Sequence, residues 1–318
     1  MSSELLGSAQ NVLKGNLGGA WDITNGYQDA YTDLGIARRF GGASAAYSLR
    51  DIGAMNGPVV DIRRDTGGGA GDDDVEPFSA LQLLSGAAEE FVGTGNDGFV
   101  SKWYDQTGNG NHVIQSGASE QPKIVDSGTY LGSLKFDAAT DGTSPDFLEL
   151  DGTKIGFASS NLFLNYVISN KADQSAFAGV IGSRDLSGAS GNGYNFGVSS
   201  IERPQVIFYD SVNGNSNSTM GASQALGTSE TALITIQKVG NDVDGFKNGT
   251  AGDLDTTING MGTSTIDRFR IGTGDLLSDT TPDSLGLKAE LKEIIFYETD
   301  RSSDRTDIEN DILNYYSI

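Results

Sequence analysis

The residues best equipped for chemistry gather in WYDQTGNGNH, residues 103–112, which holds the single histidine of the chain. Asp105, Thr107 and Asn109 alternate and Gly110 follows, much as a calcium loop opens. Asp105 and Asn109 are the candidate metal ligands on that reading, with calcium as the ion. The bidentate acid such a loop needs near its end falls on Ser116, however. A turn fits better: Asp105 accepts backbone N–H bonds from Gly108–Asn111, Trp103 and Tyr104 pack on opposite faces of a sheet, and His112 is a satisfied turn residue. One histidine with no cysteine beside it gives no transition-metal site, so no cofactor is expected.

Elsewhere the chemistry-bearing residues are carboxylates and aromatic rings. Glu120, Glu149, Asp185, Glu202 and Asp244 are the carboxylates that a glycoside-cleaving pair would draw on. Such a pair stands about 5–5.5 Å apart in a retaining enzyme. Tyr194, Phe196 and Tyr209 are the candidate sugar-binding residues, because an aromatic ring suits the apolar face of a pyranose. Asp72, Asp73 and Asp74 follow a glycine run and read as a solvated loop.

The elements that must position these residues are short strands. VVDIRR (59–64), GFVSKWY (98–104), NLFLNYVIS (161–169), QVIFYD (205–210), TALITIQKV (231–239) and RFRIGT (268–273) are separated by Gly, Asn, Asp and Ser clusters. That rhythm predicts a β-sandwich or jelly roll. Residues 233–250 read as a hairpin turning at Gly240-Asn241-Asp242. Residues 78–91 are helical in pattern but interrupted at Gly86. In the strand near 287–300, Ile294 and Phe296 share one face while Ile295 and Tyr297 share the other. A closing helix, capped by Ser302 or Ser303, buries Ile308, Ile312 and Tyr315 or Tyr316. Residues 1–42 carry fewer strand runs and read as an arm preceding one domain over 43–318.

The chain has 318 residues, no cysteine and a net charge of −22. Thiol chemistry and disulfides are excluded. So acidic a surface repels nucleic acid and anionic lipid. No stretch has the roughly 20 apolar residues of a membrane span, and the N-terminus has no basic segment leading into an apolar run.

AAYSLRDIGAMNGPVVDIRRD (45–65) followed by FVSKWYDQTGNGNHVIQ (99–115) resembles the catalytic β-sandwich of the arabinofuranosidase B family. Features from LKFDAATDGTSPDFLEL (134–150) to the end resemble a concanavalin A-like, laminin-G-like jelly roll. The resemblance implies an all-β jelly-roll sandwich with a short C-terminal helix and an N-terminal arm. Its nucleophilic Glu follows adjacent cysteines. Here the corresponding stretch, GASGNGYNFGVSS (188–200), holds neither Cys nor Glu, so no catalytic residue is carried over.

Modules with this opening block also resemble surface proteins of tailed-bacteriophage virions. The expectation is therefore a non-enzymatic virion protein, on a tail fibre or capsid surface, made in the host cytoplasm. Its expected partners are other virion proteins through residues 1–42 and host surface polysaccharide, with the chain assembled as a homo-oligomer. The alternative is a glycoside hydrolase of arabinofuranosidase type with displaced carboxylates.

Overall fold

A computed structural model describes residues 35–53, 56–67, 74–138, 145–151, 155, 161–173, 176–184, 193–210, 214–254, 256–257, 268–273 and 286–318. The strands run antiparallel in two ladders. The front sheet runs, edge to edge, through Val75–Ser79, Pro58–Asp65, Asp97–Trp103, Val113–Ile114, Leu148–Asp151, Arg268–Ile271, Ala178–Arg184, Gly193–Val198, Pro204–Tyr209 and Ser216–Thr219. The back sheet runs through Ala45–Ser48, Ala289–Tyr297, Asn161–Ser169, Ala232–Val239 and Asp242–Lys247. Strands Lys123–Asp126 and Thr129–Phe136 join the two, pairing with Asp97–Trp103 at one end and Ala289–Tyr297 at the other. The expected β-sandwich is the observed fold.

Alternation along each strand divides inside from outside. Inward residues of the two sheets meet: Trp103 lies 5.6 Å from Tyr47, and Phe296 lies 6.3 Å from Tyr194 and 6.5 Å from Phe269, centroid to centroid. The strand read near 287–300 obeys its pattern. Ile294 and Phe296 enter this central core, whereas Ile295 and Tyr297 face outward into a second cluster with Phe163, Val167, Leu233, Ile308 and Ile312. That second cluster exists because the helix Arg305–Tyr316 lies across the back sheet, joined by the short helix Ile36–Arg39.

The hairpin is present, with Ala232–Val239 and Asp242–Lys247 joined by a two-residue turn at Gly240-Asn241. The helix read over 78–91 is two helices, Ala80–Leu84 and Ala87–Val92. Gly86 between them takes φ +85°, a left-handed conformation that glycine adopts without strain. The closing helix differs from expectation at its start. Asp304, not Ser302 or Ser303, occupies the N-cap, and no side chain caps it; Ser302 instead bonds to Asp300 through its N–H and hydroxyl. Residues 1–34 of the expected arm lie outside the described residues. The part that follows packs on the domain, with Ile36 1% exposed.

Candidate functional site

WYDQTGNGNH leaves the front sheet and folds back beside the first strand of the back sheet. Both oxygens of Asp105 are occupied by donors: the N–H of Ala46 at 3.0 Å and of Thr107 at 3.0 Å on one, the N–H of Asn111 at 3.1 Å on the other. The Thr107 hydroxyl lies 2.8 and 2.7 Å from the two oxygens. Of the turn Gly108–Asn111, only Asn111 is a recorded donor to this carboxylate. Asn109 turns its amide to the carbonyls of Ala43 and Ser44, at 3.0 and 3.2 Å. Asp105 and Asn109 are thus brought into one loop and both bonded within the protein. The aspartate staples the loop to the neighbouring sheet.

Trp103 is fully buried, and Tyr104 turns to the outer face of the front sheet. The Tyr104 hydroxyl donates to Asp61 at 2.9 Å. Burial, reinforced by that bond and charge, pushes its pKa up to about 12. His112 packs edge-on against Tyr104 at 4.9 Å. Its Nδ1 accepts the Asp105 N–H at 3.0 Å, which leaves the proton of the neutral ring on Nε2. Burial first, then the Lys102 charge, lowers the pKa of the imidazole.

These residues stand at one end of a cross-strand row. Register places Asp61, Lys102, Ile114, Glu149, Arg270, Gly182, Asn195 and Ile207 successively opposite one another. Cross-strand partners share a face, and here it is the outer one. Glu149 and Arg270 form an ion pair through the guanidinium Nε, and the guanidinium carbon lies 4.3 Å from the centre of the Phe147 ring. Ile114, on the other side of Glu149, is 48% exposed. Gly182 puts no side chain between Arg270 and Asn195. Asn195 donates to the Tyr209 hydroxyl at 3.1 Å, and both are buried.

The carboxylates can be tested against the spacing that glycoside cleavage demands. Three strand steps separate Glu149 from Asp61, about 14 Å at the usual 4.8 Å per step, beyond the ~5–9.5 Å of paired glycosidase carboxylates. Asp61 therefore does not pair with Glu149. Of the other acids, Glu202 is bound to the buried Lys171 and Asp244 lies on the back-sheet hairpin. Glu120 ends a single 3-10 turn, and Asp185 lies outside the described residues, as do Asp72 and Asp73. Asp74 pairs with Arg64. Of the five carboxylates read from the sequence, Glu149 is the one that the described residues place in the row, three strand steps from Asp61.

Tyr194 and Phe196 go to the central core, each fully buried, with their rings 4.7 Å apart. Their alternation puts Asn195 on the outer face instead. Tyr209 shares that face but is 8% exposed, its hydroxyl taken by Asn195. The sequence reading missed Arg270, Asn195, Lys102 and Phe147. Each occupies the opposite alternation from a core neighbour, which was the available signal.

No protein-family model matches the chain, and no curated protein sequence matches it. Solved structures do. An arabinofuranosidase complexed with arabinofuranosyl-α-1,2-xylobiose superposes with a TM-score of 0.56 at 14% identity, over 85% of this chain and 62% of that one. A GH54 α-L-arabinofuranosidase soaked with a cyclic sulfate inhibitor gives the same four values. The chain thus spans less than two thirds of these proteins. A sialidase from Trypanosoma rangeli aligns over 66% of this chain and 30% of its own, with a TM-score of 0.45 and 13% identity. The likeness establishes the β-sandwich. It also corrects the expectation of a non-enzymatic virion protein, to which the matching arabinofuranosidase structures lend no support.

Proposed function

We propose that this protein is a glycoside hydrolase of arabinofuranosidase type, acting on the outer face of the front sheet around Glu149. The observation that carries the reading is the cross-strand row, which sets a carboxylate, its guanidinium clamp and an aromatic ring side by side on that face. Glu149 is the reacting carboxylate, and Arg270 fixes its orientation. Phe147 backs the guanidinium, and exposed Ile114 offers an apolar contact to a sugar ring. Such a reaction uses two carboxylates, one as nucleophile or base and one as proton donor. Glu149 supplies one of them, and the second is not among the candidate acids placed above.

The test is release of nitrophenol from 4-nitrophenyl α-L-arabinofuranoside by the unaltered chain and by Glu149→Gln. The expected result is turnover by the former and none by the latter. Absence of turnover with the unaltered chain, on this substrate and on arabinoxylan, would reject the reading. Equal turnover by both would move the site away from Glu149.

A further inference from the structure

Away from the front sheet, a cavity of about 400 Å³ opens where four parts of the chain meet. Its walls come from the segment beginning at Gly35, the loop after the first back-sheet strand, the helix Ala80–Leu84 and the closing helix. One wall is polar: Arg50, Asp51, Asn56 and Asp311. The other is apolar, with Leu81 and Leu84 68% and 73% exposed and Tyr315 49% exposed. Three large, well-exposed apolar side chains at one opening need an explanation that core packing does not supply.

The charges narrow the occupant. Arg50 reaches Glu293 through Nε at 2.7 Å and through Nη2 at 2.9 Å, and the same Nη2 reaches Asp311 at 2.9 Å. Its guanidinium lies over the Tyr315 ring at 4.4 Å. Nη1 has no hydrogen-bond partner among the described residues. An anion entering here meets Asp51 and Asp311, within a chain of net charge −22. A cation meets the guanidinium. A neutral molecule rich in hydroxyls meets neither penalty: it accepts from Arg50 and Asn56 and donates to the carboxylates, each oxygen of which has two lone pairs. Such a molecule with one apolar face also covers Leu81 and Leu84. A sugar ring has both properties, and the volume lies within the range of small-ligand sites.

We propose that this cavity binds a neutral sugar unit and forms a carbohydrate site separate from the front-sheet row. The proposal does not depend on the hydrolase reading. Its test is affinity electrophoresis of the full chain carrying Glu149→Gln, so that turnover does not degrade the polymer, through gels containing arabinoxylan, arabinan or galactomannan, with polygalacturonate as the acidic control. At least one neutral polymer should retard the protein more than polygalacturonate does. Adding Leu84→Arg or Tyr315→Ala should weaken that retardation about tenfold or more in dissociation constant, with the unfolding midpoint unchanged. If Tyr315→Ala lowers the midpoint, Leu84→Arg decides, because Leu84 is largely exposed. Retardation by none of the neutral polymers, or only by polygalacturonate, overturns the proposal. So does retardation that both substitutions leave intact, which would assign binding to another surface. Sugar release by the unaltered chain reads separately, so the two proposals fail independently.

Discussion

The two outer faces of this sandwich have opposite fates. On the back sheet, Phe163, Val167, Leu233, Ile295 and Tyr297 point outward and are roofed by Ile308 and Ile312 of the closing helix and by Ile36. On the front sheet the corresponding outward row is Asp61, Lys102, Ile114, Glu149 and Arg270, with the ion pair and an exposed isoleucine at its middle. The same architecture thus carries a covered apolar layer on one side and an open charged row on the other. What decides is which residues occupy the outward alternation: apolar ones require a roof, and charged ones leave a surface on which a ligand can lie.

The comparison breaks most sharply at Glu149. Glu149→Gln should reduce glycoside turnover at least ~10³-fold, about 4 kcal/mol of transition-state stabilisation, while urea unfolding shifts by under about 1 kcal/mol, as for a partly exposed ion pair. A large loss of stability would make the front row structural, like the back. The converse experiment is Ile312→Ala in the roof itself. It should destabilise by about 3 kcal/mol through lost burial and a cavity, measured by urea unfolding, with turnover of the remaining folded protein unchanged.

Between the two faces lies the Asp105 staple. Asp105→Ala leaves the N–H groups of Ala46, Thr107 and Asn111 without their acceptor. It should cost about 2–3 kcal/mol, read from the thermal midpoint. A cost below about 0.5 kcal/mol would mean that water replaces the carboxylate.

The smallest expected effect is a pH dependence at Asp146, just before the Glu149 strand. Burial foremost, then the Asp137 charge, raises its pKa from 3.8 to about 7, although the Asp137 N–H opposes the shift. The folded state therefore holds a proton that the unfolded state releases, so stability falls as pH rises from about 4 to about 7. Asp146→Asn should flatten that slope. The shift corresponds to about 4 kcal/mol for a fully buried group. Solvent screening of this partly exposed carboxyl reduces the expected gain at pH 8 relative to pH 4 to about 1–2 kcal/mol. Unfolding midpoints of both proteins across that range provide the check, and an unchanged slope would rule the residue out.

Much of the scaffold was legible in the sequence because its signals are local. Gly86 marks an interruption that becomes the break between two helices, and the alternation of Ile294 and Phe296 against Ile295 and Tyr297 marks two faces that the fold turns into two cores. The site was less legible because it is made by register between strands far apart in sequence. Glu149 and Arg270 are 121 residues apart, and neither carries a motif. Tyr194 and Phe196 misled for a related reason: alternation alone says that they oppose Asn195, but not which of the two sets faces the core. The helix cap also differed, since Ser302 was engaged by Asp300 and Asp304 took the position.

One feature of the back sheet governs the timing of assembly. Its strand Ala289–Tyr297 is synthesised about 240 residues after Ala45–Ser48, yet it pairs with that strand on one side and with Asn161–Ser169 on the other. At about 5–20 residues per second, the early strand waits roughly 12–50 s for its partner to leave the ribosome. Through that interval an apolar strand has an unpaired edge, the kind of surface that invites contact with a neighbouring nascent chain. Yield of soluble protein should therefore depend on translation speed and temperature, even where the finished fold is stable.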